Sequence, residues 1–196
     1  MRKIDEIAGS VGWVDDEDRL RRAAQAIGGD GRGWLVDVVD HPRLDEWIAE
    51  LGAPAGVVQL LDRHERDCRA VADRLGVPHH VVPRELPGTP FELRPVVRFR
   101  WWREVALWWP ERRLLLVADA IGTIPYFCAG AEPAGVHPLL RPWPPRSLLG
   151  LEPEHLLVGH GEGIHRQPGA LGSALRTARR RLPRWLVGLP RLLRSG

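Results

Sequence analysis

Val57-Val58-Gln59-Leu60-Leu61-Asp62-Arg63-His64-Glu65-Arg66-Asp67-Cys68 is the stretch on which the fold turns. Its first five residues are mostly apolar and read as a short buried strand. The polar run Asp62–Cys68 follows at once, where such a strand would end. Ala70, Val71, Arg74 and Leu75 then have the spacing of a short helix, closed by Gly76. Toward the N-terminus, Trp34-Leu35-Val36-Asp37-Val38-Val39 reads as another buried strand, stopped by His41-Pro42. Leu44, Trp47, Ile48 and Leu51 share one helical face, and Gly52-Ala53-Pro54 ends that helix. Toward the C-terminus, Val77-Pro78-His79-His80-Val81-Val82 reads as a third strand. The order strand, helix, strand, helix, strand within the first 85 residues predicts an α/β layer covered by helices. Residues 1–30 read only as a mixture of acids, arginines and small residues, closing on a turn at Gly28-Gly29-Asp30-Gly31.

The second half changes character. Val96–Phe99, Val105–Trp109 and Leu114–Val117 are strand candidates, with a turn at Pro110-Glu111-Arg112-Arg113, and they predict an antiparallel, hairpin-rich stretch. Pro133, Pro138, Pro142, Pro144, Pro145 and Pro153 mark residues 133–153 as a loop over the surface. Leu156-Leu157-Val158 is a last short strand, followed by Gly159-His160-Gly161.

The 196 residues suit a single domain, 1–196, with a sizeable core. No apolar run reaches the roughly 18 residues of a membrane span, and the N-terminus lacks the apolar stretch of a signal peptide. Two cysteines do not make a disulfide framework, and a cytoplasmic location is expected. Net charge is +3. The eight arginines after Glu162 (Arg166, Arg176, Arg179, Arg180, Arg181, Arg184, Arg191 and Arg194) meet no acid, which leaves the preceding part at −5. The basic segment 176–196 predicts either a terminal helix packed on the acidic body or a contact with nucleic acid or anionic membrane. Pro183 and Pro190 are expected to break any long helix there. In the adjacent pairs Trp101-Trp102 and Trp108-Trp109, strand alternation sends one ring of each inward to the core.

Four segments, taken in order, resemble the signature blocks of the metallo-β-lactamase superfamily. Trp34-Leu35-Val36-Asp37 is similar to its strand ending in aspartate. Leu60–Cys68, followed by a helix and Leu75-Gly76-Val77-Pro78, is similar to its strand and Thr-His-x-His-x-Asp-His motif. Val105–Ala120 is similar to its hairpin leading to a Gly-Asp pair, and Leu156–Glu162 to its late strand and Gly-His-Gly. Together they span about residues 32 to 175, and their order and spacing carry the likeness. The resemblance implies an αββα sandwich of two mixed sheets flanked by helices, and a site where metal ions activate water.

The departures from the family pattern bear on chemistry. With Asp67 at the motif aspartate, Arg63 and Glu65 stand at the first two histidines, Cys68 at the third, and Phe99-Arg100 near the family's central Gly-His. That register leaves Asp67, Cys68, Asp119 and His160 for one metal. A register shifted by one element of the motif puts His64 at the second histidine and Asp67 at the last. Arginine stays protonated and cannot ligate, and guanidinium at about 4 Å from a dication costs on the order of several kcal/mol at an effective dielectric near 20.

A two-metal hydrolase is therefore not expected. The favoured reading has no cofactor. Asp67 and Asp119 pair with Arg63, Arg66 or Arg100, and the chain is a non-catalytic binding or scaffold protein for an unknown small molecule or protein. The alternative is a mononuclear metal-dependent hydrolase, with one zinc or iron ion on Asp67, Cys68, Asp119 and His160 and water as nucleophile. Candidate catalytic groups are His64, Asp67 and His160. Cys68 beside the arginines is a further candidate as a thiolate. His79 and His80 point to opposite faces of their strand, so at most one can serve a site.

Overall fold

The computed structural model describes residues 1–29, 31–64 and 66–194, without the side chains beyond Gly188. Two sheets make its centre. The first has six strands in chain order, β1 (Arg2–Ile7), β2 (Ser10–Val14), β3 (Ala23–Gly29), β4 (Arg32–Val36), β5 (Ala53–Gln59) and β6 (His79–Val81). Its first four strands are antiparallel, and β4, β5 and β6 run parallel. The second sheet holds β7 (Glu92–Phe99), β8 (Trp102–Trp109), β9 (Leu114–Val117), β12 (His155–Val158) and β13 (Ile164–His165), in the spatial order β13-β12-β9-β8-β7. Only β9 and β12 pair parallel in it. A two-stranded ribbon joins β10 (Ile121–Gly122) to β11 (Gly135–Val136).

Alternation along the parallel strands explains the layers. Trp34, Val36 and Val58 point inward and share one core with Val105, Leu107, Trp109, Leu114 and Leu116 of the second sheet. Leu35 and Val57 point the other way. There they meet Leu44, Trp47 and Ile48 of α1 (Leu44–Ala49) and Cys68, Val71 and Ala72 of α2 (Cys68–Leu75). On the opposite side Leu171, Ala174, Leu175 and Ala178 of α3 (Ala170–Arg194) join the core of the second sheet. Helix, sheet, sheet and helix thus follow one another, the αββα sandwich that the sequence predicts.

Three details differ from the sequence reading. Residues 1–30 hold the three strands β1, β2 and β3. Their signal is weak because β3 is built of Ala23, Ala24 and Ala26, residues that strands use sparingly, and because β2 is buried along its whole length and shows no alternation. The proline-rich stretch is not simply laid over the surface: it carries β11 and two single 3-10 turns, and buries Leu140, Arg141 and Leu148. Finally, α3 runs through Pro183 and Pro190. Pro183 is on the solvent side, where water can take up the carbonyl that loses its N–H partner, and two residues on the Trp185 indole pins the helix by donating to the Tyr126 carbonyl at 2.7 Å. No helix among the described residues is long and apolar enough to cross a membrane.

Candidate metal centre

Three polar side chains meet beyond the carboxyl ends of parallel strands, the usual place for a site in such sheets. β9 and β12 pair in register at Val117 and Val158, so Asp119 and His160, two residues beyond each, emerge side by side. His64 comes from the turn after β5 in the other sheet. The backbone around His160 is drawn tight. A Cβ on Gly159 would lie 2.8 Å from the Ala118 carbonyl oxygen, and Gly161 has φ +96°. Glycine is required at both places. Gly161 N–H also bonds the Arg21 carbonyl, and Arg22 bridges to His160, so the start of β3 closes over the second sheet at this point.

One carboxylate oxygen is shared. Asp119 Oδ1 lies 2.8 Å from His64 Nε2 and 2.9 Å from His160 Nε2. The ligand atoms of the three residues all fall within 4.8 Å of one another. Each histidine has a further acceptor on its far side. His160 Nδ1 lies 2.8 Å from the Leu20 carbonyl, and His64 Nδ1 3.4 Å from Asp37 Oδ2. Asp37, in a left-handed backbone conformation (φ 46°), is itself fixed by accepting the Leu60 N–H at 2.9 Å. The Asp119 loop is held by Glu104, whose Oε1 accepts the N–H groups of Asp119 and Ala120 at 3.1 and 3.0 Å, while Oε2 accepts from the Trp102 indole at 2.9 Å. Phe127 stacks on the His160 ring.

These contacts set the protons. A carbonyl only accepts, so His160 Nδ1 carries hydrogen; a neutral ring then turns a lone pair on Nε2 toward a carboxylate oxygen. Two acceptors at 2.9 Å repel unless a proton or another cation lies with them. His64 stands in the same position between two carboxylates. Burial and the Arg66 charge pull His64 downward, but the bonds to Asp119 and Asp37 outweigh them and its pKa is raised. Burial would raise Asp119, yet the bonds from His160 and His64 hold it well below the carboxylate range. Burial, then the charge of Asp119, pushes Glu104 up to about 8.

No family model matches this chain, and no curated relative was found. Solved structures do match. The DIM-1 metallo-β-lactamase aligns over 93% of this chain and 96% of its own, with 12% identity and a TM-score of 0.61. A metallo-β-lactamase from Pontibacter korlensis aligns over 93% and 98%, with 11% identity and a TM-score of 0.60. BLEG-1, a B3 metallo-β-lactamase, aligns over 78% and 93%, with 16% identity and a TM-score of 0.54. The chain has the metallo-β-lactamase fold.

Within that metallo-β-lactamase fold the residues singled out from the sequence separate. Asp119 and His160 meet, and His64 joins them. Asp67 and Cys68 do not. Asp67 Oδ2 accepts the Asp40 N–H at 2.8 Å and ties down the loop after β4. Cys68 opens α2 and turns into the core, its Sγ 3.9 Å from the Val38 carbonyl and away from the three converging side chains; burial raises the thiol to about 12, against the thiolate form.

The expected guanidinium network also takes another form. Arg66 donates to the carbonyls of Ala23, Asp37 and Gly159 at 2.6, 2.7 and 3.2 Å, stapling the two sheets instead of pairing with Asp67 or Asp119. Arg100 lies exposed in the β7–β8 turn and bonds neither aspartate. Arg63, with its side chain 48% exposed, stacks over Trp102 and reaches Asp119 Oδ2 at 3.9 Å, on the rim. Glu65 lies outside the described residues. Sequence reasoning missed Asp37 and Glu104 as supports. Asp37 was signalled only as the strand-end aspartate, and Glu104 by nothing beyond an acid in an apolar strand.

Proposed function

We propose that the chain is a mononuclear metal-dependent hydrolase whose ion is held by His64, Asp119 and His160. The observation that carries this is the shared Asp119 oxygen facing two imidazole nitrogens, each ring anchored behind by an acceptor. Metal-binding histidines commonly show that backing, because it fixes the tautomer and turns the other nitrogen's lone pair to the ion. Two imidazoles and one carboxylate suit zinc or iron and leave coordination positions open. When bound, such an ion supplies Lewis acidity and makes water a nucleophile at neutral pH. The chain's own residues do the rest: Asp37 and the Leu20 carbonyl orient the rings, Glu104 fixes the Asp119 loop, and Arg63 at the rim presents donors to an anionic group of the substrate.

Elemental analysis of protein purified without chelator tests this. About one zinc or iron per chain is expected, lost in His64→Ala and His160→Ala and kept in Cys68→Ala. Protein without metal, or metal lost with Cys68, would overturn it. A second reading, a metal-free, non-catalytic binding or scaffold protein, is favoured by the opposed shifts of His64 and Asp119, which suit an ion triad bridged by protons. It predicts no metal in the same measurement.

A further inference from the structure

The two sheets leave an open cleft between their edge strands β6 and β7. It encloses about 610 Å³, a size that suits a small organic ligand. Its floor includes Leu93 and Pro95 of β7 and Val105 of β8, and its walls carry Arg84, Arg98 and Arg103. Arg98 and Arg103 are directly opposed in the β7–β8 ladder, so both side chains leave the same face of the sheet. Like charges at such a position destabilise a hairpin. Arg103 has some compensation from Asp62, 3.2 Å away. Among the described residues, neither Arg98 nor Arg84 is bonded to an acid. Glu104 also borders the cleft, but it is buried and both its oxygens are taken by the Asp119 and Ala120 N–H groups and the Trp102 indole. Three guanidinium groups over an apolar floor, two of them repelling each other across one ladder rung, therefore describe a cleft short of accessible negative charge.

We infer that this cleft binds a small amphiphilic acid, a carboxylate or phosphate monoester whose head group bridges Arg98 and Arg84 and whose apolar body lies on Leu93, Pro95 and Val105. Guanidinium binds either head group through paired N–H donors, and the bound anion removes the repulsion between Arg98 and Arg103. The inference rests on residues other than the His64–Asp119–His160 centre and goes beyond the hydrolase reading. Its test needs no metal, so either can fail alone.

Octanoate and octyl phosphate are the probes, with acetate, inorganic phosphate and octanol as controls, titrated calorimetrically into the full chain and followed in parallel by thermal melting. At least one of the two acids is expected to bind saturably at one site, at least tenfold tighter than its short control, and to raise the melting temperature. The tighter of the two names the head group. Arg98→Gln should weaken that binding at least tenfold while raising the melting temperature of the ligand-free protein. Arg84→Gln should weaken binding without that rise, and it carries the test should the first variant fail to fold. The proposal falls if octanol binds as tightly as the acids, if neither acid outbinds its short control, or if the arginine variants bind as the parent does.

Discussion

Two buried polar clusters stand on either side of Phe127, and they are built on opposite plans. The Phe127 carbonyl belongs to the first. Arg141, wholly enclosed, donates to it at 2.5 Å, to Glu132 Oε2 at 2.6 Å and to the Ala178 carbonyl of α3 at 3.4 Å. Glu132 also accepts the Ala129 N–H at 2.6 Å and has Arg181 at 3.6 Å. A cation meets a carboxylate there, and only Arg141 Nε and Glu132 Oε1 of the pair are left without a hydrogen bond. The Phe127 ring belongs to the second, where it stacks on His160. In that cluster the groups aimed at one point are a carboxylate oxygen and two ring nitrogens, each ring already backed by another acceptor. A structural cluster supplies its own cation to its carboxylate. A centre crowded with acceptors around a common point needs a cation from outside, or protons in its place.

The largest effect expected from this contrast is in the closed cluster. Arg141→Met leaves Glu132 buried without its main partner and should lower stability by about 3–5 kcal/mol in denaturant unfolding, because breaking one side of a buried pair exposes the full desolvation penalty of the other. A loss below about 1 kcal/mol would remove the distinction between the two clusters.

The link between the clusters titrates. His137 packs on Trp102, Tyr126 and Phe127, and its Nδ1 accepts the Leu139 N–H at the start of the turn that carries Arg141. Burial pushes it down to about 4. The folded state therefore binds its proton less readily than the unfolded chain. Stability from this group is complete above about pH 6.5 and is lost as pH falls toward 4, about 3 kcal/mol in all. His137→Asn keeps an acceptor for Leu139 and should flatten that part of the pH–stability curve. An unchanged slope between pH 6.5 and 4 would place the acid sensitivity elsewhere.

Cys68→Ala sharpens the contrast from the other side. The thiol packs under α2 with Val71 and Trp47 as a small apolar group. Its loss should lower stability by about 1 kcal/mol and leave metal content unchanged. A fall in metal content would return Cys68 to the centre.

Much of the fold was legible in the sequence because β4 and β5 end in apolar runs, and short helices closed by Gly52 and Gly76 separate them from each other and from β6. β1–β3 were not: β2 and β3 are buried on both faces and leave no alternation to detect, β3 is largely alanine and glycine, and β1 is mostly charged. Asp119 and His160 could be named in advance because each follows an apolar strand directly. The choice between His64 and Asp67 could not be made from spacing. Arg66 adopts φ 43°, reversing the chain between them, so neighbours in one polar run end up facing different loops. The burial of Arg141 was hidden as well: its partners Glu132, Phe127 and Ala178 come from other segments, and its own segment is rich in proline.

Titration of chelator-treated protein with Zn²⁺ tests the central claim most directly. One ion per chain should bind, raising the melting temperature, and Asp119→Asn should abolish both the heat of binding and that rise. No binding, a stoichiometry of two, or undiminished binding by the asparagine variant would contradict a single centre built on His64, Asp119 and His160.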